Sequence, residues 1–482
     1  MKFVPRRYIT KLGLISFLTG YALMAYELVA ARILAPTLGS SIYVWTSVIG
    51  MIIAALSLGY WIGGKLADTR QKQIDVALLC IAAAAGVIIT IMSYPTTLQW
   101  IALSVKDVRL QGVIASLLLF VPTSFLIGSI SPYLAKLNIK SLKTAGESVA
   151  SLSALNSIGG IVGTFTTGFI LFSYLGSKES LIIVLVILLI SSWLIVPRQH
   201  TRLRIVASLL LIVFALIPQP KASGLVATID TPSAHYEVVN MSFKNRPIKG
   251  LATGPNALQS AVYTDKVSDE LVFWYTNYAT KLIEMQQPKR VLVLGGGAFT
   301  APQTLAKALP DTHIDAVEID PALESIAKEY FNYQDQPNVS LIFNDARSFV
   351  NNTDQTYDAI FVDVFGNNST PFSLLTQEYS QQIKRILNPD GIVVVNAIAG
   401  LSGPCEDLLA AIDTTYRSFL TNAYWQTESG AAIPRGNYIL AYTNSDINLK
   451  NSMHSLSPQQ SPTYTDNFMP AEKLHYQCQR TS

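Results

Sequence analysis

The chain has 482 residues, half of them hydrophobic and only 14% charged, with a net charge of +3 and a mean hydropathy of +0.33. That balance argues against a wholly water-soluble protein, and with no basic stripe interleaved with aromatics it excludes nucleic acid as a partner. Cys80, Cys405 and Cys478 lie far apart and form no C-x-x-C, so neither a zinc site, nor any other metal centre, nor a disulfide framework is expected.

The apolar residues crowd into positions 1–220 and the charged ones favour the remainder. A transmembrane α-helical bundle is therefore expected over 1–220, followed by a soluble part. Lys2, Arg6, Arg7 and Lys11 precede a first apolar run, Leu12–Leu34, too long for a cleaved signal peptide. Further runs at Ile42–Gly64, Ile74–Tyr94, Leu110–Ala135, Val149–Leu175 and Leu181–Val196 read as spans of ~30 Å of hydrocarbon. A seventh run, Ile205–Ile217, is short and either crosses with help from its flanks or lies along the interface.

Positive charge follows alternate spans: Lys65, Arg70 and Lys72, then Lys136, Lys140 and Lys143, then Arg198, Arg202 and Arg204. The intervening loops hold Lys106, Arg109 and Lys178, which puts the N-terminus inside. Six spans leave the soluble part in the cytoplasm and seven put it outside. Because nucleosides form a cytoplasmic pool, a multi-pass protein of the cell (inner) membrane with a cytoplasmic soluble domain is expected. Glu27 and Arg32 either belong to a substrate or ion path, or pair and snorkel near the membrane face. Gly159 and Gly163 form G-x-x-x-G, a close-packing face, and Asn156 on the same helix suits an interhelical hydrogen bond.

After a polar linker at Pro218–Ser223, three short strands are expected at His235–Phe243, Arg246–Thr253 and Ala257–Tyr263, forming a small β unit over 225–265. Leu271–Met285 reads as an amphipathic helix. Then comes Arg290–Asp320, with an apolar strand at Val291–Leu294, a turn of Gly295, Gly296 and Gly297, a helix over Thr304–Leu309, and a second strand at Ile314–Val317 ending in Glu318 and Asp320. Strand, glycine turn, helix, strand and acid is the layout of a nucleotide-binding βαβ unit. Bare glycines admit a ligand to the backbone, and the acid can accept ribose hydroxyls. Ser325–Phe331 (helix), Val339–Phe343 and Tyr357–Val362 (strands), Leu374–Leu387 (helix) and Ile392–Ala397 (strand) follow, predicting an α/β Rossmann-like, doubly wound parallel sheet over 266–445. The glycines, Glu318, Asp345 and Asp363 all fall at C-terminal strand ends, where ligands bind in such sheets. Asp320 and Asp358 each read as well as a helix cap or strand-end residue as they do as a catalytic acid. A polar tail over 446–482 is expected to be loosely ordered.

Gln259, VLVLGGG at Val291–Gly297, VEID at Val317–Asp320, NDAR at Asn344–Arg347 and YDAIFVD at Tyr357–Asp363 together resemble the spermidine synthase family. The resemblance is to its membrane-fused form with a multi-span N-terminal region, since Tyr26–Ser41, YELVAARILAPTLGSS, is also similar. It runs over nearly the whole chain apart from the tail. The resemblance implies a class I methyltransferase-like fold and an aminopropyltransferase that moves an aminopropyl group from decarboxylated S-adenosylmethionine to an amine, with no tightly bound cofactor. It assigns Glu318 to the ribose, Asp345 and Ala346 to the adenine, Gln259 and Tyr275 to the aminopropyl and amine channel, and Asp363 to orienting or deprotonating the amine. Implied partners are the nucleoside donor, the amine acceptor, the lipid bilayer and a second copy in a homodimer. Three departures stand out. The family's G-G-G-D-G-G continues here as Ala298, Phe299 and Thr300; its D-S-x-D-P is Asp363-Val364-Phe365-Gly366; and the His-Glu expected after Tyr275 is Thr276-Asn277. Alternatives left open are an S-adenosylmethionine-dependent methyltransferase and a non-catalytic nucleoside-binding sensor or transporter. Gly59–Arg70, GYWIGGKLADTR, loosely resembles the cytoplasmic loop of major-facilitator transporters.

Overall fold

A computed structural model describes residues 11–479 apart from 40, 106, 140–142, 144, 196–200, 219–222, 255–256, 266–269, 365–370 and 446–448. Lys2, Arg6, Arg7, Lys106, Lys140 and Arg198 of the charge pattern, and Phe365 and Gly366 of the altered motif, lie outside the described residues. The chain forms two compact units: Met1–Lys221 with Asp230–Pro232, and Ala222–Ile229 with Ser233–Ser482.

The first unit is helical: α1 (Lys11–Leu38), α2 (Ile42–Arg70), α3 (Gln73–Ser104), α4 (Val108–Leu119), α5 (Val121–Asn138), α6 (Ala145–Thr166), a π turn at Thr167–Leu171, α7 (Phe172–Tyr174), α8 (Ser177–Ile195) and α9 (Thr201–Leu216). Five of its helical stretches are long and apolar enough to cross a membrane, and α4 with α5 makes a sixth if the pair, bent by 55°, is one span. The bend falls where Pro122 removes a backbone donor. Tyr26 Oη and Thr90 Oγ1 donate to the Leu119 carbonyl there, at 3.1 and 2.9 Å.

The small-residue face does pack helices. A Cβ on Gly159 would collide with the Phe17 carbonyl, and one on Gly163 would sit 2.6 Å from the Tyr21 carbonyl. Asn156 Nδ2 donates to the Ser16 carbonyl at 3.0 Å, the interhelical bond expected of it. Arg32 donates to the Phe172 and Leu175 carbonyls and to Asp230 Oδ1, all within this unit. Its partners are thus backbone and Asp230 rather than Glu27.

The second unit opens with a four-stranded antiparallel sheet: β1 (Leu225–Asp230), β2 (His235–Phe243), β3 (Arg246–Ala252) and β4 (Leu258–Tyr263). β1 was not foreseen. The remainder is α10 (Trp274–Glu284), β5 (Arg290–Leu294), α11 (Thr300–Ala308), β6 (His313–Glu318), α12 (Ala322–Tyr330), β7 (Val339–Phe343), α13 (Ala346–Asn352), β8 (Tyr357–Val362), α14 (Gln377–Ile386), β9 (Leu387–Ala399), α15 (Glu406–Arg417), β10 (Asn422–Gln426), β11 (Gly436–Thr443), β12 (His454–Ser455) and α16 (Ala471–Gln479). The sheet order is β12-β10-β11-β9-β8-β5-β6-β7.

Strands β9, β8, β5, β6 and β7 are parallel, and the runs of β8, β5 and β6 are buried on both faces as such a sheet requires. β11 lies antiparallel to β9, β10 to β11 and β12 to β10, so the sheet is mixed rather than wholly parallel. β6 and β7 extend to one side of β5 and β8 to the other. The order therefore reverses at β5, and a crevice opens there beyond the strand ends.

The tail is also ordered differently from expectation. Leu456 and Leu474 are buried in the main core cluster, and Asp466 accepts from Arg347 Nη2 and Thr376 Oγ1 at 2.8 and 2.7 Å. Cys405 and Cys478 form a disulfide, contrary to the expectation from their spacing. Sequence distance says nothing of spatial distance: 73 residues separate two cysteines whose Cα atoms are 4.1 Å apart.

Candidate functional site at the strand ends

The crevice holds a cavity of about 470 Å³. Every residue the sequence singled out for a nucleoside or amine lines it: Gly295, Gly296, Gly297, Glu318, Asp345, Ala346, Gln259, Tyr275 and Asp363. Of the two other acids, Asp320 Oδ1 accepts from Ala322 N, the first residue of α12, at 3.0 Å. Asp358 accepts from Lys289 N, Arg290 N and Asn388 Nδ2, tying β5 to β8 and β9 away from the cavity. Both carboxylates take backbone donors, and neither is among the cavity's lining residues.

The glycine turn is shaped by its neighbours. Gly295 has φ +95°, and a Cβ on it would collide with the Asp363 carbonyl oxygen. Gly296 lies against the Phe299 ring, whose Cδ1 would be 2.7 Å from an added Cβ. Phe299 does not plug the cavity. It is fully buried beneath the turn, 5.4 Å from the Tyr333 ring. Ala298, standing where the family has an acid, is also buried and its N–H donates to Ser260 Oγ at 3.0 Å.

Glu318 is more committed than the sequence implied. Its Oε2 accepts from Gly296 N and Gly297 N at 2.9 and 3.0 Å, and its Oε1 from Ile319 N and Asp320 N at 2.8 and 3.2 Å. The carboxylate closes the glycine turn while lining the cavity, so a ribose hydroxyl would share oxygens that already take two backbone donors each. Asp345 caps α13, with Oδ1 accepting from Ser348 N at 2.8 Å, and is exposed. Ile319, 59% exposed, offers an apolar surface beside Ala346 and Leu374.

At the other end, Asp363 is fixed through its backbone, N–H to the Leu294 carbonyl at 2.8 Å. Its Oδ1 accepts from Asn396 Nδ2 at 2.8 Å, and Asn396 Oδ1 in turn accepts from Asn437 Nδ2 at 2.9 Å. Desolvation by burial pushes the Asp363 carboxyl up to about 6, against the pull of the Asn396 bond. Burial raises the Tyr275 hydroxyl too, and the charge of Asp363 adds to it, which keeps that phenol protonated. Sequence reasoning missed Asn396 and Asn437. Asn396 had a signal, a polar residue ending the run Ile392–Val395; Asn437 had none, because β11 was not foreseen.

The fold and site define a Rossmann-like α/β domain with a mixed sheet and an acid-lined cavity at its switch point. Residues 274–406 match the model of the spermine/spermidine synthase domain. The polyamine aminopropyltransferase of Vibrio vulnificus (strain CMCP6) is 30% identical over 171 residues, which is 35% of this chain and 56% of that protein. That of Salmonella newport (strain SL254) is 30% identical over 196 residues, covering 36% of this chain and 68% of that one. Among solved structures, a probable spermidine synthase from Corynebacterium glutamicum ATCC 13032 is 20% identical, with a TM-score of 0.39 over 48% of this chain and 84% of that one. The chain belongs to the spermidine synthase family. It spans little more than half the length of the Vibrio relative.

Proposed function

We propose that the protein is a membrane-embedded aminopropyltransferase that uses decarboxylated S-adenosylmethionine and an amine acceptor. The observation that carries this reading is the charge of the cavity. Glu318, Asp345 and Asp363 line it, and among its described lining residues there is no Lys, Arg or His. A donor bearing a carboxylate would find no cation there, whereas a cationic donor without one meets only acids and amides.

In the proposed reaction the acceptor nitrogen's lone pair attacks the aminopropyl carbon bonded to the sulfonium. The C–S pair returns to sulfur, leaving a neutral thioether nucleoside, and the proton lost from nitrogen passes to Asp363. A sulfonium is already a good leaving group, so the protein's task is alignment and proton removal. A carboxyl near 6 is ionised at neutral pH yet basic enough to take that proton. With Asp363 as the single acid at this end, an acceptor of low charge suits the site better than a polycation. Many large apolar side chains of the helical unit, among them Ile53, Trp61, Ile89 and Phe165, face outward, which supports burial in lipid.

Titration calorimetry of the full chain in detergent tests the reading. Decarboxylated S-adenosylmethionine and methylthioadenosine are expected to bind, and S-adenosylmethionine at least ten times more weakly. Asp363→Asn should keep donor binding and lose on the order of 10²–10⁴ in turnover, the size of a general-base contribution. Indifference to all three nucleosides, or transfer of a labelled methyl group, would sink it.

A further inference from the structure

We propose that the helical unit crosses the membrane seven times and that the acid-lined cavity therefore belongs to the oxidising, non-cytoplasmic compartment. This does not rest on the proposed reaction. It rests on the register of the helices, on their charges and on the disulfide.

One apolar cluster gathers Ile15 from the start of α1, Ala67 from the end of α2, Val76 to Cys80 from the start of α3, Ile130 to Leu134 from the end of α5, Leu152 from the start of α6 and Ile195 from the end of α8. Starts and ends alternate on one face, as an up-and-down bundle demands. The bent pair crosses rather than turning back. Its beginning lies against α2's beginning, where a Cβ on Gly112 would sit 3.0 Å from Ser47 Oγ. Its end meets the start of α3, where Tyr133 Oη donates to Asp75 Oδ2 at 2.7 Å.

The short last helix, undecided from its length, is settled in the same way. Arg204 donates to the Ser192 carbonyl, Trp193 Nε1 to Ser208 Oγ at 3.2 Å, and Lys178 Nζ to the Ile217 carbonyl at 2.9 Å. Those contacts run from the last turn of α8 to its first. α9 thus travels back along the whole of α8 and crosses if α8 does.

Lys65, Arg70, Lys72, Lys136, Lys143, Arg202 and Arg204 fall at the clustered end, and Arg32, Arg109 and Lys178 at the other. Positive charge stays in the cytoplasm, so Ile217 emerges on the opposite side. The segment Asp230–Pro232, which packs with the helices, takes hydrogen bonds from Arg32 at that same far end. The Cys405–Cys478 bond points the same way, since disulfides persist outside the reducing cytoplasm. Cys80, inside the bundle, stays a free thiol. A pocket so placed draws donor and acceptor from outside the cytoplasm, and a transport step must deliver the nucleoside there first.

The full chain, carrying either alkaline phosphatase or green fluorescent protein at its C-terminus, reads the side. The phosphatase fusion is expected to be active and the fluorescent one dark. Alkylation after acid quench and denaturation should find one reactive thiol per chain before reduction and three after, from the chain's three cysteines. A bright fluorescent fusion with a silent phosphatase, or three thiols reactive before reduction, overturns the inference. Donor binding by purified protein is blind to sidedness, so its failure would count against the reaction alone.

Discussion

Asp363 is held by an amide chain whose polarity its own charge sets. An ionised carboxylate only accepts, so Asn396 must present Nδ2 to it and turn Oδ1 to Asn437, which must answer with its own Nδ2. Tyr275 on α10 lines the same cavity, and the charge of Asp363 reaches its phenol. Asn437→Asp would place an acceptor at the far end and turn Asn396 over, bringing an oxygen against Asp363 that only the protonated acid tolerates. The acid limb of kcat/KM, expected near pH 6 in the parent, should then move upward with donor affinity unchanged. An unmoved pH profile would mean that the chain does not govern Asp363.

The stability sign follows from the same shift. The folded-state value of about 6 lies above the ordinary 3.8, so the folded protein holds this proton longer than the unfolded one. Stability is therefore lost as pH rises from about 4 through 6. Asp363→Asn should melt higher than the parent at pH 8, by on the order of 1–3 kcal/mol, and alike near pH 3, as thermal melts would show. Asp363 itself was legible in the sequence as an acid ending a strand. The amides that tune it went unread, because they come from strands 33 and 74 positions later.

Among the elements, the glycine turn between β5 and α11 was the most legible, since no side chain fits at Gly295 against the Asp363 carbonyl. What the turn does with its acid was hidden. Glu318 braces the turn through two of its backbone N–H groups, Gly296 and Gly297, and takes two more from Ile319 and Asp320 beside it, which only coordinates reveal. Restoring the family's acid by Ala298→Asp should not restore its role. That position is 1% exposed, packed with Tyr236, Val238 and Phe299 behind the lining rather than in it. The substitution buries a charge, which should cost several kcal/mol or force the carboxyl to stay neutral. A lowered melting temperature with no gain in donor affinity is expected; tighter donor binding would show that the turn can turn outward.

Across the whole molecule, the tail is the clearest case of composition misleading. Its Ser, Gln and Pro content reads as disorder, yet Leu449, Met453, Leu456 and Leu474 are buried in the cores and Asp466 clamps Arg347 and Thr376. Arg347 also donates to the Ser373 carbonyl at 2.8 Å, and Ser373 lines the cavity. Asp466→Ala is expected to cost about 1–3 kcal/mol, the range for a lost charge-assisted bond, and to weaken donor binding by loosening that wall. Truncation after Ser445 should leave protein that aggregates on extraction. Unchanged melting in the Asp466 variant would show the clamp to be idle.

Apolar runs, the glycine turn and acids at strand ends each depend on neighbours within a few residues, so local pattern alone determined the helical part, the βαβ core and the glycines and acids that line the cavity. Strand direction in β10 to β12, the disulfide, the amide chain behind Asp363 and the path of α9 along α8 join residues far apart in the chain. No local pattern encodes such meetings; the packed fold decided them.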